Sequence, residues 1–382
     1  MDYNEKRLRY RKEFPILNRE IYLNHAGHGP WSNASLRAMD NFMRSFCFGP
    51  MLPYAVWNEE QDRTRALMGQ LINAAPDEIA FNYNTSLSLI MFTNSIKWEP
   101  GDNIIVPDKC FPSVVHPARL LRQNGVEARI VDVTDDDLIS EDRLISAIDE
   151  RTRLMIVPLV SFVLGQRLDI KKLNAACRDA GVYLVVDAIQ AVGPTKVDVK
   201  ELGCHALCFG SPKWMFGPMG IGTVYVNHDD MEAMRIPQMG MWSVDDPWNF
   251  FDYEQPLVPE CRRFECGCAN NLAHFGINPN LEMFLDLGPE NIEEYLMDLT
   301  AYLHDELTGR GIKVVTPREN SRRASIVTFD AGSAGWEDAG KLHEALEAAS
   351  IHVSVRMGLV RVSPHFYNDR EEIDKLLEVV VR

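Results

Sequence analysis

Lys213 stands in Phe209-Gly210-Ser211-Pro212-Lys213-Trp214-Met215-Phe216-Gly217, a single amine among apolar and glycine residues, directly after an apolar run. A lysine withdrawn from water loses proton affinity and becomes a nucleophile able to form a Schiff base. Alone, the segment also reads as a surface lysine snorkelling beside a structural turn. Earlier in the chain, Tyr183-Leu184-Val185-Val186-Asp187 closes another apolar run on a carboxylate. Such a group must be paired or hydrogen-bonded, or its charge is costly; by itself it also reads as a helix cap.

Together the two residues say more. Pyridoxal 5′-phosphate (PLP) chemistry needs an amine for a Schiff base and an acid against the pyridine nitrogen. A phosphate site is the third requirement. Asn84-Thr85-Ser86 follows a short apolar run and opens a helical stretch, so hydroxyls and free amides meet a positive helix end. An ordinary helix cap is the alternative there. Phe111 offers a face for a cofactor ring or a core aromatic. Arg361, in Val360-Arg361-Val362-Ser363, presents a planar fork for an α-carboxylate, with a salt bridge, or Arg356 in its place, as the competing readings.

The elements that must position these residues follow from periodicity. Between about 79 and 226, β-rich runs at 78–81, 103–106, 128–132, 154–157, 183–186, 206–209 and 222–226 alternate with helical stretches. Near-continuous apolar strands joined by helices predict an α/β fold, a mostly parallel seven-stranded sheet covered by helices, with its ligand at the strands' carboxyl ends. Residues 231–252, rich in Met, Trp and Pro, read as a long ordered excursion. The remainder alternates helices and strands as a smaller α+β C-terminal domain. The expected boundaries are 16–260 for the large domain and 261–382 for the small one, with 1–15 packed on the latter.

Composition narrows the partners. Of 382 residues 46% are hydrophobic, enough for a large core. A net charge of −16 disfavours nucleic acid and requires local positive groups for any anionic ligand. No apolar stretch has the length of a membrane span and no secretion signal opens the chain, so a cytoplasmic protein is expected. The eight cysteines form no disulfide framework. Cys261, Cys266 and Cys268, even with Cys204, His205 and Cys208, match no zinc spacing, so no metal is expected.

These segments, in this order, resemble the class V aminotransferase superfamily of fold-type I PLP-dependent transferases, which includes cysteine desulfurases, selenocysteine lyases and isopenicillin N epimerase-like proteins. The matching stretches are Tyr22–Pro30, Asn84-Thr85-Ser86, Asp187–Gly193, Ser211–Trp214, Arg263–Asn270, and Arg361-Val362-Ser363 leading to Tyr367-Asn368. The resemblance implies that Lys213 carries the Schiff base and that Asp187 pairs with the pyridine nitrogen. It implies that Gln190, with Ser161 nearby, meets the ring hydroxyl and that Thr85, Ser86 and Ser211 hold phosphate. Arg361 would bind the substrate carboxylate. Asn24 and His25 would line the entrance and contact substrate, His25 counting among the catalytic candidates. A homodimer is implied, with Gly267-Cys268 reaching the partner's cofactor.

Three departures stand out: Pro212 replaces a histidine before the lysine, Cys268 a threonine, and Phe111 a ring-stacking histidine. Residues 330–360 contain no cysteine where a desulfurase carries its nucleophile. The expectation is therefore a PLP-dependent transferase or lyase acting on a small amino acid, by transamination or thiol-independent β-elimination (C–S lyase), and not a persulfide-forming cysteine desulfurase. An epimerase and a non-catalytic PLP-binding regulatory module are the alternatives. A dinucleotide-binding protein is disfavoured because no Gly-x-Gly-x-x-Gly follows an early strand.

Overall fold

The computed structural model describes residues 2–381. The strands in chain order are β1 (Ile21–Tyr22), β2 (Ile79–Asn82), β3 (Asn103–Pro107), β4 (Glu127–Val131), β5 (Thr152–Pro158) and β6 (Tyr183–Asp187). They continue with β7 (Ala206–Gly210), β8 (Gly222–Val226), β9 (Val327–Phe329), β10 (Ile351–His352), β11 (Ser354–Arg356) and β12 (Leu359–Val362). The helices are α1 (Tyr3–Arg11), α2 (Asn33–Phe48), α3 (Tyr54–Ile72), α4 (Thr85–Ser95), α5 (Pro112–Leu120), α6 (Glu141–Ser146) and α7 (Ile170–Asp179). After them come α8 (Val199–Leu202), α9 (His228–Met231), α10 (Asn271–Leu287), α11 (Pro289–Gly309), α12 (Ala339–Ala348) and α13 (Arg370–Val380).

Seven strands form one sheet in the order β2-β8-β7-β6-β5-β3-β4. Pairing is parallel from β7 through β4, and only β8 runs against its neighbours β2 and β7. Side chains alternate faces along a strand, so each strand supplies two cores. Ile105, Met155, Val157, Leu184, Val186 and Phe209 fill one side. Ile104, Val106, Leu154, Ile156, Val185 and Val224 fill the other, under Leu89 and Phe92 of α4 and Val114 of α5. Burial on both faces is why these strands lack polar alternation.

A three-stranded antiparallel sheet, β11-β12-β9, with α11, α12 and α13, builds the third core around Leu303, Val327, Leu342, Val360 and Ile373. The N-terminal stretch joins it through the parallel pair β1–β10. The cores divide the chain differently from the 260/261 boundary expected above. Ile277, Leu281, Phe284 and Leu296 belong to the large core and Leu299 to the small one, so the division falls within α11. Helix α10 stays with the large unit because it packs along α2 and α3, a long-range contact that local periodicity does not show. Within the expected 1–15 segment, residues 2–15 bridge both units: Lys6, Arg9 and Tyr10 converge on Asp286, Arg11 pairs with Glu372, and Phe14 sits in the large core. From Glu232 to Asn270 the chain is irregular apart from short 3-10 turns, in keeping with the predicted excursion. No helix among the described residues is long and apolar enough to cross a membrane.

Candidate active site

Strand register brings the chemistry together. Pro158 of β5 lies opposite Asp187 of β6, and Asp187 opposite Cys208 of β7. Three parallel strands therefore end side by side, and Lys213 follows on the loop after β7. Strand β2 runs in the same sense, so Asn84 and the first turn of α4 arrive at this edge too. Asn84 caps α4 by accepting from the Leu87 N–H at 2.9 Å. This close approach requires Gly222, where a Cβ would sit 2.4 Å from the Asn84 carbonyl carbon.

A cavity of about 440 Å³ opens at that edge, lined by Thr85, Ser86, Phe111, Ser113, Asp187 and Lys213, with His28 and Tyr83 at its margin. A narrower recess with Ser161, Phe162 and Gln190 adjoins it across Phe111, Asp187 and Lys213. The Lys213 Nζ lies 5.6 Å from the centre of the Phe111 ring.

Burial pushes the two ionisable groups toward neutrality from opposite sides. Lys213 falls to about 8, first through desolvation and then through the charges of Arg361 and Arg356, with Asp187 opposing. Asp187 rises to about 6 through desolvation, opposed by the Ile189 N–H and by Lys213. The Asp187 carboxylate accepts one hydrogen bond, from the Ile189 N–H at 3.0 Å. A buried carboxylate so sparsely bonded suits a cationic N–H donor from a ligand. Thr85 and Ser86, with the amides of the first turn of α4, suit a phosphate. The donor set thus fits PLP: an amine close to neutrality, an acid for a ring nitrogen, and hydroxyls at a helix start.

Arg361 approaches from the small unit. Its Nε donates to Ser354 Oγ at 3.0 Å and its Nη1 to the Phe162 carbonyl at 2.6 Å. The buried Nη2 has no hydrogen-bond partner. Desolvation, aided by the charge of Arg356, lowers its proton affinity. A guanidinium stays protonated even so, and its free edge calls for an anion.

Three expected site residues, His25, Ser211 and Asn24, are placed otherwise. His25 is fully buried away from the cavity, its Nδ1 against the Ser363 carbonyl at 2.7 Å and its Nε2 against the Tyr367 hydroxyl. Desolvation pulls it down to about 3, so it is a neutral structural group and not a proton carrier at the cavity. Ser211 is also buried, and its hydroxyl donates to the Pro218 carbonyl at 2.6 Å, away from a phosphate site. Asn24 makes a bridge to Ser363 and leaves its Oδ1 buried without a partner, beside Gly27 and off the cavity wall. Cys268, expected to reach the cofactor of a partner subunit, is exposed in the single chain and lines an adjoining cavity of about 200 Å³. Gln190 reaches the recess, but its amide is already engaged by the Ala26 carbonyl at 3.1 Å and the Trp214 indole N–H at 2.7 Å. Ser161 lines the recess and accepts from the Leu164 N–H at 3.3 Å.

Three cavity residues were missed. His28 lies three positions beyond His25 in the same motif. The loop that carries it is held on the Lys213 segment: Gly29 N–H donates to the Pro212 carbonyl at 3.0 Å. A Cβ on Gly29 would lie 2.1 Å from the Lys213 carbonyl oxygen. Tyr83 directly precedes the Asn84-Thr85-Ser86 turn. Ser113 follows Phe111 by two and shares a 2.6 Å hydrogen bond with Ser86. Their adjacency to residues already chosen was the available signal.

Comparison with known proteins identifies the family and the fold. The family model described as Aminotransferase class-V matches residues 55–376. A probable cysteine desulfurase of Methanothermobacter thermautotrophicus is 26% identical, covering 97% of this chain and 96% of its own. A cysteine desulfurase of Cronobacter sakazakii is 28% identical, with 97% of each covered. The apo structure of a cysteine desulfurase from Thermococcus onnurineus NA1 superposes with a TM-score of 0.87 at 24% identity, over 97% of this chain and 96% of that one. A C-DES mutant with glycine covalently linked to its PLP cofactor gives 0.86 at 20% identity, over 97% and 98%.

These relatives overturn one expectation. The chain was read as not a persulfide-forming desulfurase because residues 330–360 contain no cysteine. Proteins named cysteine desulfurase match along nearly its whole length, so that exclusion does not stand. The inference assumed that a thiol could be supplied from one loop alone, whereas Cys110, Cys266 and Cys268 all line cavities at or beside the site.

Proposed function

Because the chain belongs to the class V aminotransferase family, we propose that it uses PLP on Lys213 to act at the α- and β-carbons of a small amino acid, with cleavage of a β-carbon–sulfur bond as the leading reaction. The observation that carries this reading is the buried Lys213–Asp187 pair, one close to neutral at about 8 and the other raised to about 6. The names of the relatives favour the sulfur-bearing substrate. Transamination is the second reading, supported by the family's own description.

When bound, PLP supplies an electron sink for negative charge developing at Cα. The protein's part is positioning and proton movement. Asp187 would pair with the ring nitrogen and Thr85 and Ser86 with the phosphate, while the Phe111 face would cover the ring. Arg361 Nη2 would hold the substrate carboxylate, which fixes Cα in the recess beside Lys213. The Lys213 Nζ would then take and return the Cα proton, and its lowered proton affinity suits that exchange near neutral pH. Exposed aromatic side chains at Phe46, Phe48, Tyr54 and Trp248 support a second copy of the chain as partner.

The test is incubation of the PLP-loaded protein with a panel of amino acids. Sulfur release from cysteine or cystine supports C–S cleavage, and amino transfer that depends on an added keto acid supports transamination. Inversion at Cα without either product would point to epimerisation. Turnover unaffected by Lys213→Ala would refute the assignment.

A further inference from the structure

The hairpin that carries Arg361 carries a second arginine on the same face. Strands β11 and β12 pair antiparallel, with Ser354 opposite Arg361 and Arg356 opposite Leu359. Side chains alternate along a strand, so these four share one face and Val355, Val360 and Val362 take the other. The valines pack into the small core. The first face turns to the cofactor recess: Arg361 Nη1 donates to the Phe162 carbonyl, and Leu359 lines a small cavity with Ser161 and Lys109. Phe162, Ser161 and Lys109 all line the recess that holds Lys213. The connecting turn, Met357-Gly358, has a positive φ at both residues, 51° and 77°. That two-residue form holds Arg356 and Leu359 in register.

Nothing acidic answers Arg356. Among the described residues it makes no ion pair, and its Nη1 donates only to the Val355 carbonyl, at 2.7 Å. Lys109, by contrast, is paired with Asp137. Arg361 also lacks an acidic partner, and its Nη2 is buried without a hydrogen bond. Behind desolvation, the charge of Arg356 lowers the proton affinity of Arg361, and it acts on Lys213 as well. Like charges gathered on one sheet face cost stability. In a chain of net charge −16 the acids to relieve them were plentiful, yet none is placed there. One α-carboxylate answers Arg361; the second guanidinium calls for a second anion.

We propose that the substrate is an amino acid with a second negative charge on its β-substituent, and that Arg356 receives this charge while Arg361 holds the α-carboxylate. The proposal rests on the amino-acid reaction assigned above and names its substrate class. The register supports it. Arg361 stands at the Ser354 rung and Arg356 at the next rung of the same face, toward the turn. Such a diagonal pair is about 7–8 Å apart at the backbone, a separation that two anionic groups on one short amino acid can span. A substrate with an uncharged β-substituent would leave Arg356 unanswered.

The experiment titrates PLP-loaded protein with S-carboxymethyl-L-cysteine and with S-carbamoylmethyl-L-cysteine. The two are alike in size and in their C–S bond and differ by one negative charge. Visible absorbance reads the affinity, and KM and kcat follow for any turnover. The anionic member is expected to bind roughly tenfold tighter. Arg356→Gln should abolish that preference and Arg356→Lys should keep part of it. Arg361→Gln should weaken both analogues by the same factor and leave their ratio unchanged. Aspartate against asparagine repeats the comparison with the charge next to Cβ. Equal affinities within both pairs in the unmutated protein would overturn the second anion and leave the amino-acid reaction standing; this ratio decides even where a variant folds poorly. Arg356→Gln weakening charged and neutral analogues equally would also overturn it, by making Arg356 a second holder of the α-carboxylate. No spectral response and no turnover across the whole amino-acid panel would overturn the reaction reading, and this proposal with it.

Discussion

Replacing Lys213 by methionine should make the cofactor-free protein more stable at neutral pH. Met keeps most of the side chain's apolar volume and removes the charge. Lowering a lysine from its ordinary 10.5 to about 8 means that the folded protein disfavours the ammonium by about 3 kcal/mol. That penalty applies in full below pH 8, where the amine is charged in both folded and unfolded chains. It fades as pH rises from 8 toward 10.5, because the folded protein has then already released the proton. Part of the gain is offset, since Lys213 is the counter-charge that holds Asp187 down. The expected net advantage of Lys213→Met is therefore about 1–2 kcal/mol at pH 7. The assay is urea unfolding of both proteins, free of cofactor, at steps from pH 6.5 to pH 10. The gap should narrow above pH 8. A variant less stable than the parent by a kcal/mol or more at every pH would show a well-solvated lysine, and the case for a near-neutral amine would fail. The same displacement leaves about one lysine in ten neutral at pH 7, against about one in three thousand at the ordinary value, which is the functional return on this local instability.

Asp187→Asn should leave the cofactor-free fold intact at pH 7. A carboxylate raised to about 6 stabilises the fold below its unfolded value and loses that contribution as pH rises through 6. PLP retention should nonetheless weaken by at least roughly tenfold, read by dialysis and visible absorbance. Arg361→Gln should raise KM for α-amino acids about 10- to 100-fold with a smaller change in kcat, measured by steady-state kinetics. His25→Ala should lower stability by about 2–4 kcal/mol in urea unfolding and leave the pH–rate profile unshifted. His28→Asn should change kinetic constants with unfolding unchanged within about 0.5 kcal/mol; the reverse pattern for these two histidines would contradict the placement of His28 at the cavity.

Much of the fold could be read from the chain because of where burial is symmetric. Asn103–Pro107 and Tyr183–Asp187 are covered on both faces, so apolar runs ending in a turn marked them and their carboxyl edge. Asp187 and Lys213 were legible for the same reason: a charge at the end of an apolar run has few places to go. What remained hidden depends on contacts between distant segments. The choice between His25 and His28 is made by Gly29 resting on the Lys213 carbonyl, nearly half the chain away. The hydroxyl of Ser211 turns to Pro218 because a local turn offers an acceptor before any ligand does. Helix α10 follows the large core because α2 and α3 receive it, which no local pattern records. The cysteine argument failed in the same way: absence from one loop did not describe which thiols the fold gathers beside the site.

The central claim is that one amine, that of Lys213, carries the cofactor. Purified protein loaded with PLP should be reduced with borohydride, digested, and the peptides mapped by mass spectrometry. The account predicts a pyridoxyl phosphate adduct confined to the peptide containing Lys213, and its loss in Lys213→Ala. An adduct on another lysine at equal yield, or none at all on a fully loaded protein, would contradict it.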